Sequence, residues 1–182
     1  MDNAAPTDPV ALYNAHAEAE GWSTRCFSAC DFQTPELAAL FAIWREKGRE
    51  RWPRRADFDA RTLKPFLRNI AILERHEADA RVRYRLRYFG TDFVRLFGEQ
   101  SGRFVDEFLP PANLPRWTLA YETVLLAHAP LRFIANFSMP QISFLKSESF
   151  SVPLAAESGA PPLLLTAMYV SPKSEPAALS AS

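Results

Sequence analysis

Three histidines, two cysteines and one acidic residue in an apolar run are the side chains from which a reactive site would have to be built. His16, His76 and His128 lie far apart along the chain, and no Gly-x-Ser-x-Gly, P-loop or His-Glu-x-x-His motif accompanies them. A nucleophilic site needs a base beside its nucleophile, and no spacing here predicts that pair. The sequence therefore assigns no catalytic residue and predicts a protein that is not an enzyme.

Two cysteines, Cys26 and Cys30, are separated by three residues. No second pair of cysteines or histidines completes a ligand set, so this spacing is weak support for a metal site. We assign no metal and predict two free thiols, as is usual in a reducing cytosol.

Glu148 stands on a predicted strand, where it and Lys146 share one face with five apolar residues. A buried carboxylate without a partner is costly. It is therefore expected either to bond internally to Arg132, to Lys146 or to a backbone amide, or to anchor a small molecule in a pocket. The five apolar residues are Ile142, Phe144, Phe150, Val152 and Leu154.

Arginine occupies every second position of one strand, at Arg81, Arg83, Arg85 and Arg87. On a strand these side chains form a row of roughly 20 Å. Nucleic-acid binding would need aromatic rings on the same face, but Tyr84 and Tyr88 have the opposite parity, so nucleic acid is not predicted. The row is either a solvated or internally paired face, with the acidic N-terminal segment as a candidate partner, or a surface for a protein partner or a second copy.

The composition is ordinary for a globular protein, with 48% hydrophobic and 23% charged residues and a formal net charge of zero. A chain of 182 residues buries a core without disulfide or metal support. No apolar run approaches the roughly 20 residues of a membrane span, and the N-terminal residues lack a signal-peptide pattern. The sequence predicts a cytoplasmic protein without membrane association.

Helical spacing and strand alternation divide the chain into a regular series of elements. Helices are predicted for "VALYNAHAEAEGW", for "TPELAALFAIWREKG" with Thr34 as its cap, for a short segment between Asp59 and Pro65, and for Asn113 to His128. Five strands are predicted, with "EADA" as a hairpin turn: "NIAILERHE", "RVRYRLRYF", "LRFIANFS", "ISFLKSESFSVPLA" and "PPLLLTAMYVS". This order predicts an α+β fold whose antiparallel sheet has helices on one face and solvent or a partner on the other.

The same order, with the segments "WPRRADFDA", "YRLRYFGTDF", "FGEQSG" and "ESFSVPL", resembles the PAS domain superfamily. It is most similar to a bacterial family of small stand-alone PAS-like proteins, although Ala60 stands where that family usually has proline. The resemblance implies a five-stranded sheet in the order 2-1-5-4-3. With its N-terminal and C-terminal composition, the chain is divided into a helical or flexible extension (1–33), a PAS-like domain (34–171) and a disordered tail (172–182).

A ligand pocket is expected between the Asn113–His128 helix and the inner face of the sheet. Some PAS domains bind haem through a histidine on this helix, but His128 stands at its end, where the helix dipole favours histidine anyway. The flavin photosensor's cysteine motif is absent, so neither haem nor flavin is expected and the cofactor is unknown. The pocket candidates are Trp117, Tyr121, Val124, Phe133, Phe137, Glu148, Phe150 and Met168.

These features predict a stand-alone sensory module that binds a small molecule, a protein partner in trans, or both, with a homodimer as one arrangement. One alternative is a dimerisation adaptor whose core is full and holds no ligand. Another is a small hydroxylase or isomerase that uses Glu148 with a tyrosine.

Overall fold

A computed structural model describes residues 8–49, 51–137, 140–156 and 159–173. Its centre is a six-stranded antiparallel sheet in the order β1-β4-β5-β6-β2-β3. The strands are β1 (Thr24–Phe27), β2 (Ile70–Ala78), β3 (Arg81–Phe89), β4 (Leu131–Asn136), β5 (Leu145–Leu154) and β6 (Leu163–Pro172). The predicted α+β class and the antiparallel sheet are confirmed.

The prediction of five strands was wrong by one, because β1 adds a sixth strand beside β4. Thr24 pairs with Ala135, and Phe27 pairs with Arg132. The five predicted strands keep their order among themselves, and β1 extends it at the β4 edge. Within the segment 8–33, residues Thr24–Phe27 are therefore part of the sheet.

Helix α1 (Pro9–Ala19) fixes this N-terminal segment against the domain. Asp8 caps it by accepting a 3.0 Å hydrogen bond from the Val10 amide, and the buried side chains follow helical spacing as predicted. The Asn14 side chain holds both backbone groups of Cys26 on β1, each at 2.9 Å. Helix and strand thus lock together.

In the described part of the chain, four more α-helices surround the sheet. They are α2 (Pro35–Lys47), α3 (Ala60–Leu63), α4 (Thr91–Phe97) and α5 (Leu114–Ala127). Asp59 caps α3 as predicted, whereas Thr34 makes no cap bond to α2 because its hydroxyl donates to Glu148 instead. His128 ends α5 in the left-handed conformation at φ 47°.

Helices pack on both faces of the sheet, which corrects the expectation of one open face. One hydrophobic core lies beneath α5 and contains Tyr84, Leu131 and Phe133. The other lies beneath α2 and contains Leu37, Phe150 and Val152. The outer face is therefore left open only in part.

The β2–β3 hairpin turns through Asp79 and Ala80, both at positive φ, as a two-residue connection that follows the right-handed twist of the strands. The pairing register shifts between Ile72 and Leu73, and this irregularity reverses the parity at the end of β3. Tyr84 remains on the α5 side, but Tyr88 packs on the opposite core. The prediction that Tyr88 shares a face with Tyr84 was wrong for this reason.

The C-terminal segment begins inside the sheet, since Pro172 is the last residue of β6. The Lys173 amide also donates a 2.9 Å hydrogen bond to the Phe144 carbonyl. The predicted tail thus starts too early, and its residues 174–182 lie outside the described ranges.

Candidate ligand cavity

A small cavity lies between α5 and the central strands, and α1 and β1 close its side. Its volume is about 60 Å³, which is room for a few water molecules or a compact ligand. The lining residues come from seven segments and combine aromatic rings with hydroxyl groups: Tyr13, Thr24, Phe93, Arg116, Trp117, Ala120, Tyr121, Phe133, Ala135, Asn136, Phe137, Ser147, Ser149, Ser151, Thr166 and Met168.

The alternation of β5 explains why space remains here. Successive strand residues point to opposite faces, so Ser147, Ser149 and Ser151 turn toward α5 while the larger Phe150 and Val152 turn toward α2. Three short serine side chains cannot fill the distance between sheet and helix. The cavity therefore exists because the residues of β5 that face α5 are serines.

Most hydroxyl groups of the cavity wall are satisfied within the protein. Tyr13 and Thr24 share a hydrogen bond of 3.3 Å, and Ser151 and Thr166 share one of 2.8 Å. Burial raises the pKa of Tyr13 above its usual value, which keeps its phenol neutral. Among the described residues, the Ser149 hydroxyl has no hydrogen-bond partner. Its oxygen is not completely buried.

Five of the predicted pocket residues line this cavity. They are Trp117, Tyr121, Phe133, Phe137 and Met168. The aromatic members contact one another, with Trp117 and Tyr121 ring centroids 6.0 Å apart. Burial raises the pKa of Tyr121 above its usual value, so this phenol also stays neutral.

Three predicted pocket residues lie elsewhere. Val124 is fully buried in the core beneath α5 but does not line the cavity. Phe150 is fully buried on the opposite face, where its ring lies 5.5 Å from that of Phe32 and 5.6 Å from that of Phe41. Glu148 shares the parity of Phe150 and therefore points away from α5 as well.

Glu148 forms a hydrogen-bonded ion pair on that opposite face. Its carboxylate accepts bonds from Arg132 Nε at 2.6 Å, from the Gln33 amide at 3.0 Å and from the Thr34 amide at 2.8 Å. The Thr34 hydroxyl adds a fourth bond at 2.6 Å. The structure thus favours the internal bond over the ligand anchor, and it fixes the start of α2 to β5.

The pKa of Glu148 reflects two opposing causes. Burial alone would raise it, but the hydrogen bonds from Thr34, Gln33 and Arg132 outweigh burial and hold it below its usual value. Glu148 is therefore held as a carboxylate at neutral pH.

Arg83 is the most firmly held member of the arginine row. Its guanidinium donates to Asp106 at 2.9 Å and to Glu107 at 3.2 Å, and it lies 3.9 Å from the centre of the Phe104 ring. These partners belong to the turn Val105–Glu107 and its preceding residue, which pack beside β3. Arg83 therefore pairs with a neighbouring turn instead of the acidic N-terminal segment.

The rest of the row is more exposed. Arg85 donates to the Gly102 carbonyl at 3.0 Å, and Arg87 lies 3.5 Å from Glu74. Arg81 is exposed at the start of the strand. Of the two interpretations, the internally paired face describes the middle of the row, but its partners are not those expected from the sequence.

Replacing Arg83 by glutamate is expected to lower the free energy of unfolding more than the same change at Arg81, because it places a carboxylate beside Asp106 and Glu107. Arg81→Glu, on the same face without such partners, is expected to change it by less than about 0.5 kcal/mol. Urea unfolding of both variants measures the difference. Equal stabilities would show that the Arg83 contacts carry no weight.

The remaining reactive side chains lie away from the cavity. The His128 ring lies 4.3 Å from that of Trp52, and the His16 ring lies 5.1 Å from that of Trp22. Cys26 and Cys30 are free, and burial raises their pKa values to about 12 and about 11. Within the described ranges, no three histidine, cysteine or acidic side chains come together as a metal site.

Sequence reasoning missed Tyr13, Thr24, Arg116 and the three serines of the cavity wall. Tyr13 lies in the predicted N-terminal helix, but only tertiary packing brings it to α5. The serines at positions 147, 149 and 151 were a readable signal, since every second residue of a strand forms one face. The prediction instead chose Glu148 and Phe150, which lie on the opposite face of β5.

In the part of the chain that the structure describes, no helix has the length and apolar character needed to span a bilayer. No curated protein matches the chain. Among solved structures, the light-state structure of the blue-light photoreceptor Aureochrome1 LOV matches with 16% identity and a TM-score of 0.38, over 63% of this chain and 88% of that one.

The family comparison covers most of the molecule. The family described as PAS domain matches residues 32–169, from Phe32 to Tyr169 within β6. That range contains β2 to β5, most of β6, α2 and the helix over the cavity, whereas α1 and β1 precede it. The chain belongs to the PAS domain family.

Proposed function

We propose that this protein is a cytoplasmic sensory module that binds a small molecule beneath α5 and acts on a protein partner in trans. Membership of the PAS domain family supports a sensory role in general. The observation that carries the proposal is the partly polar cavity, whose Ser149 hydroxyl remains available for a ligand. No catalytic step, membrane or nucleic acid is part of this proposal.

A ligand would act by shifting the balance between two packings of α5 on the sheet. Helix α1 packs on α5 and also contributes Tyr13 to the cavity wall. A molecule that occupies the cavity therefore touches elements whose other sides face solvent. The proposed output is a change in how α1 and α5 are presented to a partner.

A second candidate is a dimerisation or adaptor role through the outer face of the sheet. An open groove of about 400 Å³ lies there beside Lys146, Glu148 and Tyr169. Phe144 is 61% exposed and Val170 is 39% exposed near this groove. Exposed apolar side chains beside a groove favour a protein contact, either with a second copy or with another protein.

The ligand proposal is tested by native mass spectrometry of the protein isolated from its own cells. We expect a retained small molecule in the wild type and its loss in Ala135→Val, since two added methyl groups occupy much of a 60 Å³ cavity. Ile134→Val is the matched control on the adjacent position of β4, whose side chain faces the outer groove. A wild-type protein without any retained mass, or equal retention in Ala135→Val, would contradict the proposal.

A further inference from the structure

The cavity contains one cation that lacks an acidic partner. Arg116 lies in the first turn of α5, is partly buried and lines the cavity. Its hydrogen bond to protein is a long one, 3.4 Å from Nη1 to the Asn136 carbonyl. Within the described ranges, no carboxylate pairs with it.

Other enclosed arginines of this protein are provided with carboxylates. Arg132 bonds Glu148 at 2.6 Å, and Arg75 bonds Glu122 at 2.9 Å. Arg116 is an exception to this pattern. Burial disfavours its charged form and lowers its pKa from the usual value. The charged or titratable side chain that influences it is Tyr13, whose phenol is neutral at physiological pH. Removing a guanidinium from water without providing a counter-ion costs free energy, and a bound anion would offset that cost.

The rest of the wall complements an anion. The Ser149 hydroxyl has no protein acceptor among the described residues, so it is free to donate to a ligand oxygen. The lining residues of this cavity include no aspartate or glutamate. A carboxylate would meet a cation and hydroxyl groups there, with no negative side chain to repel it.

We propose that the cavity binds a compact carboxylate, with the guanidinium of Arg116 as its counter-ion and the Ser149 hydroxyl as a further donor. A volume of about 60 Å³ limits the ligand to a few non-hydrogen atoms, such as formate, acetate or propanoate. A guanidinium and a carboxylate form two parallel charge-assisted hydrogen bonds, which gives direction as well as attraction. This inference rests on the proposed ligand-binding function and names its chemical class.

The test is a titration of the full chain with sodium acetate and with acetamide at constant ionic strength, followed by ¹⁵N–¹H NMR. Acetate is expected to produce saturable shifts at the Ser149 amide and the Arg116 side chain. Acetamide, which has nearly the same shape but no charge, is expected to bind about 10- to 100-fold more weakly. Arg116→Met is expected to weaken acetate binding by a similar factor.

Arg95→Met is the matched control, since it removes an exposed arginine from α4 that does not line the cavity. It should leave the acetate affinity unchanged. Arg116→Met should keep or raise the melting temperature, because no ion pair within the described residues is lost. If this variant does not fold, a structural role for Arg116 replaces the one proposed here.

Equal affinities for acetate and acetamide, or undiminished acetate binding by Arg116→Met, would overturn the ligand class. So would the absence of a saturable shift with formate, acetate and propanoate. The retained mass found by native mass spectrometry is an independent result. A retained neutral molecule together with no carboxylate binding would refute this inference and leave the proposed ligand-binding function standing.

Discussion

Glu148→Ala is expected to lower the free energy of unfolding by about 4 kcal/mol, because it removes the acceptor of a nearly buried arginine. The Arg132 side chain is only 7% exposed, and its second carboxylate, Asp31, is itself 78% exposed. The same change leaves the Thr34 hydroxyl and two backbone amides without their acceptor. Urea unfolding monitored by tryptophan fluorescence measures the loss.

The control is Glu77→Ala, which removes a carboxylate that is 60% exposed and pairs with Arg75. This exposed pair is expected to contribute less than about 1 kcal/mol. The double variant Arg132→Met with Glu148→Leu should be more stable than Glu148→Ala, because no buried charge remains without a partner. A cost of Glu148→Ala no larger than that of Glu77→Ala would contradict the structure at this face.

The contribution of Glu148 also has a defined pH dependence. Its folded pKa lies below the usual value of 4.5, so its stabilising effect is fully present above pH 4.5 and is lost as the pH falls through the folded pKa. The stability difference between wild type and Glu148→Gln should therefore be constant near neutrality and shrink in acid. A difference that instead grows below pH 4.5 would show that the pKa is raised.

Gly90→Ala is expected to lower the free energy of unfolding by about 3 kcal/mol, because an added Cβ would meet backbone and not a movable side chain. The ideal Cβ position lies 2.4 Å from the Leu67 carbonyl oxygen and 2.4 Å from that of Arg68. The Gly90 amide also donates a 2.9 Å hydrogen bond to the Ile70 carbonyl, which holds the end of β3 against the start of β2. The clash can be relieved only by moving the end of β3 away from the turn Leu67–Asn69.

The control for this substitution is Gly102→Ala. Gly102 has a φ of 80° and nothing within 4 Å of the added Cβ, so only the conformational cost of about 1 kcal/mol remains. Thermal and urea unfolding of both variants separate the clash from the conformational cost. Equal losses would mean that β3 and the turn Leu67–Asn69 are not in contact as described.

The strand alternation of the sequence predicted β3 and the β2–β3 hairpin well. Val82, Tyr84 and Leu86 alternate with arginine, and Tyr84 and Leu86 are both only 2% exposed. The parity failed at Tyr88, because a local register shift is set by pairing with β2 and leaves no trace in the alternation. Local pattern therefore predicted the strand but not its irregularity.

Strand β1 could not be predicted from local pattern. Its four residues, "TRCF", contain one β-branched side chain, and Thr24 and Cys26 are buried only because β4 and α1 lie beside them. Short strands depend on their partners for stability, so their presence is decided by tertiary pairing. This omission also hid Thr24 and Tyr13 from the predicted cavity.

The face of β5 was assigned to the wrong helix. The alternation of Glu148, Phe150 and Val152 was correct, but the sequence contains two amphipathic helices that could cover that face. The larger side chains pack beneath α2, and the serines are left beneath α5. Strand alternation predicts which residues share a face of the sheet. Which helix packs on that face depends on the topology of the whole domain.

A crystal structure of the protein as isolated from its own cells would show whether the cavity beneath α5 holds a ligand. We expect a bound small molecule between α5 and β5, within hydrogen-bonding distance of the Ser149 hydroxyl, with β1 paired to β4. A ligand seated instead in the groove beside Glu148 and Tyr169, or serines of β5 turned away from α5, would contradict this expectation.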